Sequence, residues 1–187
     1  VTGQRNFLKS GAAASATDRL LGRIDHSAGA HRLFGRMGWD QGNTSTNIIV
    51  NDAFPRQTST SIEPVFNTSR SFILTDVVTL RPNLIVEARG AYTRNRRDSR
   101  PTSLGFDLGS LGFAASVASA PRARIFPGFD VGDVTTLGPD TTALRLSVQE
   151  NRGGQANLTW VTGRHTLKTG WETIAFRNNT YSPSSPS

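Results

Sequence analysis

The sequence predicts an all-β protein: an antiparallel meander of about six strands, patterned like part of a membrane-spanning β-barrel. Three observations predict it. Apolar residues recur with a period of two and seldom with the helical period. The alternating segments come in pairs joined by short turn-like connections, whereas the connections between pairs are long. Each segment has about 8–11 residues, the length that crosses a bilayer when tilted.

The first pair is Arg19–His26 and His31–Asp40 around the turn Ser27-Ala28-Gly29-Ala30. Leu20, Gly22 and Ile24 share one face of the first segment, with Arg19, Leu21, Arg23 and Asp25 opposite. Leu33, Gly35, Met37 and Trp39 share a face of the second, opposite Arg32, Phe34, Arg36 and Asp40. The second pair is Ser71–Leu80 and Leu84–Thr93 around Arg81-Pro82-Asn83, where a proline belongs because it cannot donate to a ladder. Leu84, Val86, Ala88, Gly90 and Tyr92 make an uncharged face. In Ser71–Leu80 both faces are partly apolar. Asp76 assigns Phe72, Leu74 and Val78 to its own polar side and leaves Ile73, Thr75 and Val77 on the apolar one. The third pair is Gly154–Val161 and His165–Phe176 around Thr162-Gly163-Arg164. Here Ala156, Leu158 and Trp160 continue the apolar face, followed by Leu167, Thr169 and Trp171.

Residues 41–70 and 94–153 are expected to be long loops. A compact water-soluble domain rarely carries two such loops among so few strands. A membrane barrel does, with short periplasmic turns and long external loops. Trp39 and Tyr92 lie at the ends remote from the turns, where an outer aromatic girdle belongs. Trp160 lies near its turn, and Trp171 falls mid-segment, outside the girdle pattern.

Composition supports a folded chain. Of 187 residues, 36% are hydrophobic and 19% charged, which is too apolar for a disordered tail. Cysteine is absent, which removes disulfides and thiolate chemistry. No apolar run approaches the roughly 18 residues of a membrane helix. The net charge is +7, nearly all from arginine, since only Lys9 and Lys168 are lysines. The arginines are spread along the chain apart from one cluster, Arg94–Arg100, so no nucleic-acid stripe is formed and no nucleic-acid partner is expected.

Several phrases resemble a known family in the order in which they occur. Asp18-Arg19-Leu20-Leu21-Gly22-Arg23-Ile24-Asp25-His26 with His31-Arg32-Leu33-Phe34-Gly35-Arg36 resembles the first hairpin of Oar-like TonB-dependent outer-membrane transporters. Asp76-Val77-Val78-Thr79-Leu80-Arg81-Pro82-Asn83-Leu84 is similar to the next hairpin. Phe126-Pro127-Gly128-Phe129 and Thr136-Leu137-Gly138 resemble parts of the long external loop. Gly163-Arg164-His165-Thr166-Leu167-Lys168-Thr169-Gly170 looks like a later hairpin, with a departure at Thr169, where an aromatic or aliphatic residue is expected. The resemblance implies a barrel of roughly 22 strands around a plug. Residues 1–187 would then be an internal barrel fragment or an incomplete gene model. The implied partners are outer-membrane lipid, the rest of the barrel and its plug, and the energy-coupling TonB complex acting through the plug region. Arg19, Arg23, Arg36, Glu87, Arg89, Lys168 and Glu172 would face the lumen as structural residues. The alternative is a soluble β-sandwich that binds carbohydrate or a cell surface.

No enzyme is expected. There is no G-x-S-x-G, H-E-x-x-H or P-loop, and carboxylates are scattered. His26, His31 and His165 flank turns with Asp25 as the nearest carboxylate, which suits turn polarity better than a metal. No catalytic residue, cofactor or metal site is assigned, and the substrate-binding residues are unknown. The Gly-punctuated stretch Leu104–Phe113 is expected to be a loop that buries its own side chains.

Overall fold

A computed structural model describes residues 14–45, 62–129, 132, 138–139 and 144–183. Six strands form one sheet: β1 Ala14–Ala28, β2 His31–Ser45, β3 Ile62–Arg81, β4 Leu84–Pro101, β5 Arg145–Thr162 and β6 His165–Tyr181. Each pairs antiparallel with its successor, so the sheet order is the chain order. This is the expected meander. The apolar face of the sheet stays open, with no second sheet packed on it among the described residues, so the sandwich alternative finds no support in the fold. No described helix is long and apolar enough to cross a membrane.

Two of the hairpins close on two residues with glycine first. Gly29 and Gly163 have φ of 59° and 58°, the positive values that tight hairpin turns demand. The middle hairpin closes on Pro82-Asn83 and carries a register irregularity between Thr79 and Arg81. The tips are tied to their neighbours and stepped. Thr79 N–H donates to Ala30 O at 2.9 Å, after which β3 runs on to Arg81. Val161 N–H donates to Asn83 O at 2.9 Å and Asn83 Nδ2 donates to Val161 O at 2.9 Å, after which β5 ends at Thr162 and the turn follows at Gly163. The slip is about one residue per strand. With about 3.4 Å per residue and about 4.8 Å between strands, that corresponds to strands tilted by about 35°, the value of a closed barrel.

The register settles the faces. Leu20, Trp39 and Arg70 lie in one cross-strand row, as do Gly22, Met37, Phe72, Tyr92 and Arg152, and Ile24, Gly35, Leu74, Gly90 and Gly154. The apolar face is therefore continuous over the strands, as alternation predicts, except at β3. There Phe72, Leu74, Asp76 and Val78 occupy the apolar face, and Ile73, Thr75 and Val77 the polar one, the reverse of the expectation. Two physical causes combine. The irregularity beside the turn shifts the parity of the strand relative to β4. Asp76 is tolerated on the apolar face because His31 Nδ1 of the adjacent strand bonds its Oδ2 at 2.7 Å.

The strands outrun the alternation. The expected loop 41–70 narrows to a connection of residues 46–61, which lie outside the described residues, and the loop 94–153 narrows to 102–144. Beyond the bilayer both faces are wet, so side-chain periodicity fades while backbone pairing continues. Arg94–Arg100 is accordingly the outer end of β4 rather than a loop. The connection after β4 holds a 3-10 turn, Leu108–Leu111, and a short helix, α1 Ala115–Ser119. Leu108 and Phe126 are buried. Phe126 meets Phe106 and Phe129 edge-on at 5.1 and 5.7 Å. The loop thus buries some of its own side chains, as expected. Of the Thr136-Leu137-Gly138 phrase, Thr136 and Leu137 lie outside the described residues.

Candidate functional site

The polar face is built from the residues that oppose the apolar rows. Arg23 lies opposite Arg36, Thr75 opposite Arg89, Val77 opposite Glu87, Thr159 opposite Lys168 and Gln155 opposite Glu172. With Arg19 in the same alternation, all seven expected wall residues share this face. Four of the seven, Arg19, Arg23, Glu87 and Arg89, are paired with opposite charges. Arg23 forks onto Asp25 with two bonds of 2.7 Å, and its guanidinium lies 4.4 Å from the Phe34 ring centre. Arg19 bonds Asp40 across the strands. Arg89 sits 3.6 Å from Glu87 and donates to Thr75 Oγ1 at 3.4 Å.

Toward the long-connection end this face opens into a polar groove of about 620 Å³. Arg19, Asp40, Ser69, Asn95 and Gln149 form one row across it, and Gly42, Asn67, Arg97 and Ser147 the next. Arg145 closes its rim. Among the described residues Arg97 and Arg145 have no carboxylate partner, so the groove carries positive charge beside amide and hydroxyl groups. That combination can hold a polyhydroxylated or anionic solute. Sequence reading missed most of these residues, because Asn67, Arg97, Arg145 and Ser147 fall where alternation stops. Only the register brings them together.

The polar face is not uniformly polar. Leu21, Ile174 and Phe176 are exposed on it, Phe176 at 79%. On the opposite face, outward along β4, Asp98 is nearly buried between arginines. Arg100 Nη2 and Nε bond it at 2.7 and 3.0 Å and Arg96 Nη2 at 3.1 Å. The hydrogen bonds from Arg100, aided by the charges of both arginines, hold the Asp98 carboxyl below the usual range. No described cluster of three or more metal-ligating side chains occurs, and His31 is engaged by Asp76.

An open antiparallel sheet with tilted strands, one face rich in exposed Leu, Ile, Phe and Trp and the other carrying most of the charged and polar side chains of the turn-proximal strands, defines a wall between lipid and water. The whole chain, residues 1–187, matches the family model of the outer membrane beta barrel domain, and the protein belongs to that family. It resides in the bacterial outer membrane, its apolar face suited to lipid; barrels of this membrane keep their short turns on the periplasmic side. No curated protein and no solved structure matches the chain.

Proposed function

We propose that the protein contributes wall strands and external loops to a plugged, TonB-dependent receptor barrel of the Oar-like kind, which takes up a substrate across the outer membrane. The observation that carries this reading is the apolar set on the lumen side. Leu21, Ile174 and Phe176 would be poorly solvated in a water-filled pore, whereas a plug gives them a surface to pack on. Residues 1–187 would be barrel wall, with the plug and the remaining strands elsewhere in the receptor. The polar groove around Arg97 and Arg145 would face substrate above the plug. Energy coupling would act on the plug, releasing substrate that the wall has helped to hold.

The test uses the absence of cysteine in this chain. Leu21→Cys and Ile174→Cys in the full-length protein are treated in intact cells with a membrane-impermeant maleimide. A packed plug protects both positions until the protein is unfolded. Rapid labelling of both in the resting protein would sink the plugged-receptor reading and leave an open channel.

A further inference from the structure

The lipid-facing side carries a feature that neither wall strands nor a receptor lumen requires. Trp39 lies nine residues beyond Ala30, and Tyr92 nine residues beyond Asn83, so both reach the same level above the hairpin tips. Arg70, Arg94 and Arg152 lie eleven or twelve residues out from Pro82, Asn83 and Gly163. At about 3.4 Å per residue and about 35° of tilt, that is about 30 Å above the tips, just past the apolar band of about 25 Å. The arginines therefore stand at the outer-leaflet headgroups.

Their register is unusual. Arg70 and Arg94 are direct cross-strand partners, the arrangement that like charges avoid. Arg94 faces Glu150, which faces Arg177. Glu150 is shared, at 3.5 Å from Arg94 and 3.7 Å from Arg152. Among the described residues Arg70 and Arg177 have no carboxylate partner; Asp98 is taken by Arg96 and Arg100, and Asp18 lies two strands from Arg70. Four arginines thus cluster around one carboxylate, which only Arg94 and Arg152 engage. Directly below them the apolar face is indented by a groove of about 630 Å³ floored by Gly22, Gly35 and Gly90 and walled by Met37, Phe72 and Leu74. Arg152 lies at its rim, its guanidinium 5.9 Å from the Tyr92 ring centre.

We propose that this face binds a phosphorylated, acylated glycolipid of the outer leaflet, the lipid A portion of lipopolysaccharide. Its phosphates sit between Arg70, Arg94 and Arg152, and one acyl chain lies in the groove below. The complementarity is twofold. An anion between Arg70 and Arg94 turns a repulsive pair into two charge-assisted hydrogen-bond donors. An apolar chain fills the indentation left by the glycines. The inference rests on the barrel orientation and not on transport, so lipid binding and lumen labelling can fail independently.

The full-length protein, purified in mild detergent, is titrated with bis-phosphorylated lipid A and with the same lipid dephosphorylated. Retained lipid is read by native mass spectrometry. The phosphorylated form is expected to bind at least about tenfold more tightly. The double variant Arg70→Gln/Arg94→Gln should lose that preference. Arg97→Gln/Arg145→Gln, on the lumen face, should keep it. Heat-modifiable gel mobility reports whether each variant has assembled; if the first does not, the comparison of the two lipids on the unaltered protein decides alone. Equal binding of both lipids overturns the proposal. So does an assembled Arg70/Arg94 variant with undiminished preference, or displacement of lipid A by inorganic phosphate at equal concentration, which would make the site one for free phosphate.

Discussion

Two side chains show how position relative to the bilayer decides what a residue does. Leu158 lies on the lipid face between Val86 and Thr169, near the middle of the band. Leu158→Arg in the full-length barrel should cost about 2–4 kcal/mol, measured by denaturant titration in lipid or detergent. Asn157→Arg, beside Glu87 on the polar face, should cost less than about 1 kcal/mol. Equal costs would contradict the assignment of faces. Asp98 lies beyond the band, where its charge is held by Arg96 and Arg100. Its folded pKa is depressed, so its contribution is complete above the unfolded value of about 3.9 and is lost as pH falls through the lower folded value. Asp98→Asn should therefore lower stability at pH 7 and narrow the gap to wild type below about pH 4. A gap that holds constant over that range would mean the ion pairs contribute nothing. The His31–Asp76 pair is the residue-scale case where sequence reasoning misleads. A carboxylate reads as a marker of the wet face, yet one histidine on the neighbouring strand suffices to hold it on the other.

At the scale of elements, the hairpins are legible because alternation and the glycine and proline at the turns agree for five of the six strands, although the strands run longer than the expected 8–11 residues. β3 was misread, since a single irregularity between Thr79 and Arg81 inverts every side chain beyond it. The outer strand ends were illegible for a different reason. Where both faces meet water, Asn, Thr, Ser and Arg carry no period, and only pairing partners distant in sequence reveal the strand. The groove residues Asn67, Arg97, Arg145 and Ser147 lie in those ends, as do the arginines facing lipid. The seven wall charges nearer the turns lie where alternation is clean and were found. The loop after β4 is a self-contained element held by Phe126, Leu108 and Phe106. Phe126→Ala should open it without disturbing the sheet. Limited proteolysis should then cut within residues 102–129 several-fold faster, while the heat-modifiable mobility of the barrel persists. Loss of that mobility would show that the loop supports the wall.

At the scale of the whole molecule, β1 and β6 each have one hydrogen-bonded neighbour among the described strands. An unpaired strand edge in lipid leaves backbone N–H and C=O groups unsatisfied, and in water it templates aggregation. The 187-residue chain expressed by itself is therefore expected to aggregate or to require detergent, as sedimentation velocity would show. A sharp, detergent-free monomer would contradict a lipid-facing wall.

The stepped hairpin tips bear on the size of the finished structure. A slip of about one residue per strand works like the pitch of a thread: a tube built from this wall meets itself only if every added strand advances by a matching amount. Strand number also fixes the bore. Eight strands leave just enough room for side chains to fill the interior. Six would be narrower still, too narrow for Arg19, Arg23, Phe34, Arg36, Arg89 and Lys168 to project inward together. The inward side chains of these strands thus set a lower bound on circumference, and the pitch tells any neighbouring strand, from this polypeptide or another, the offset at which it must join.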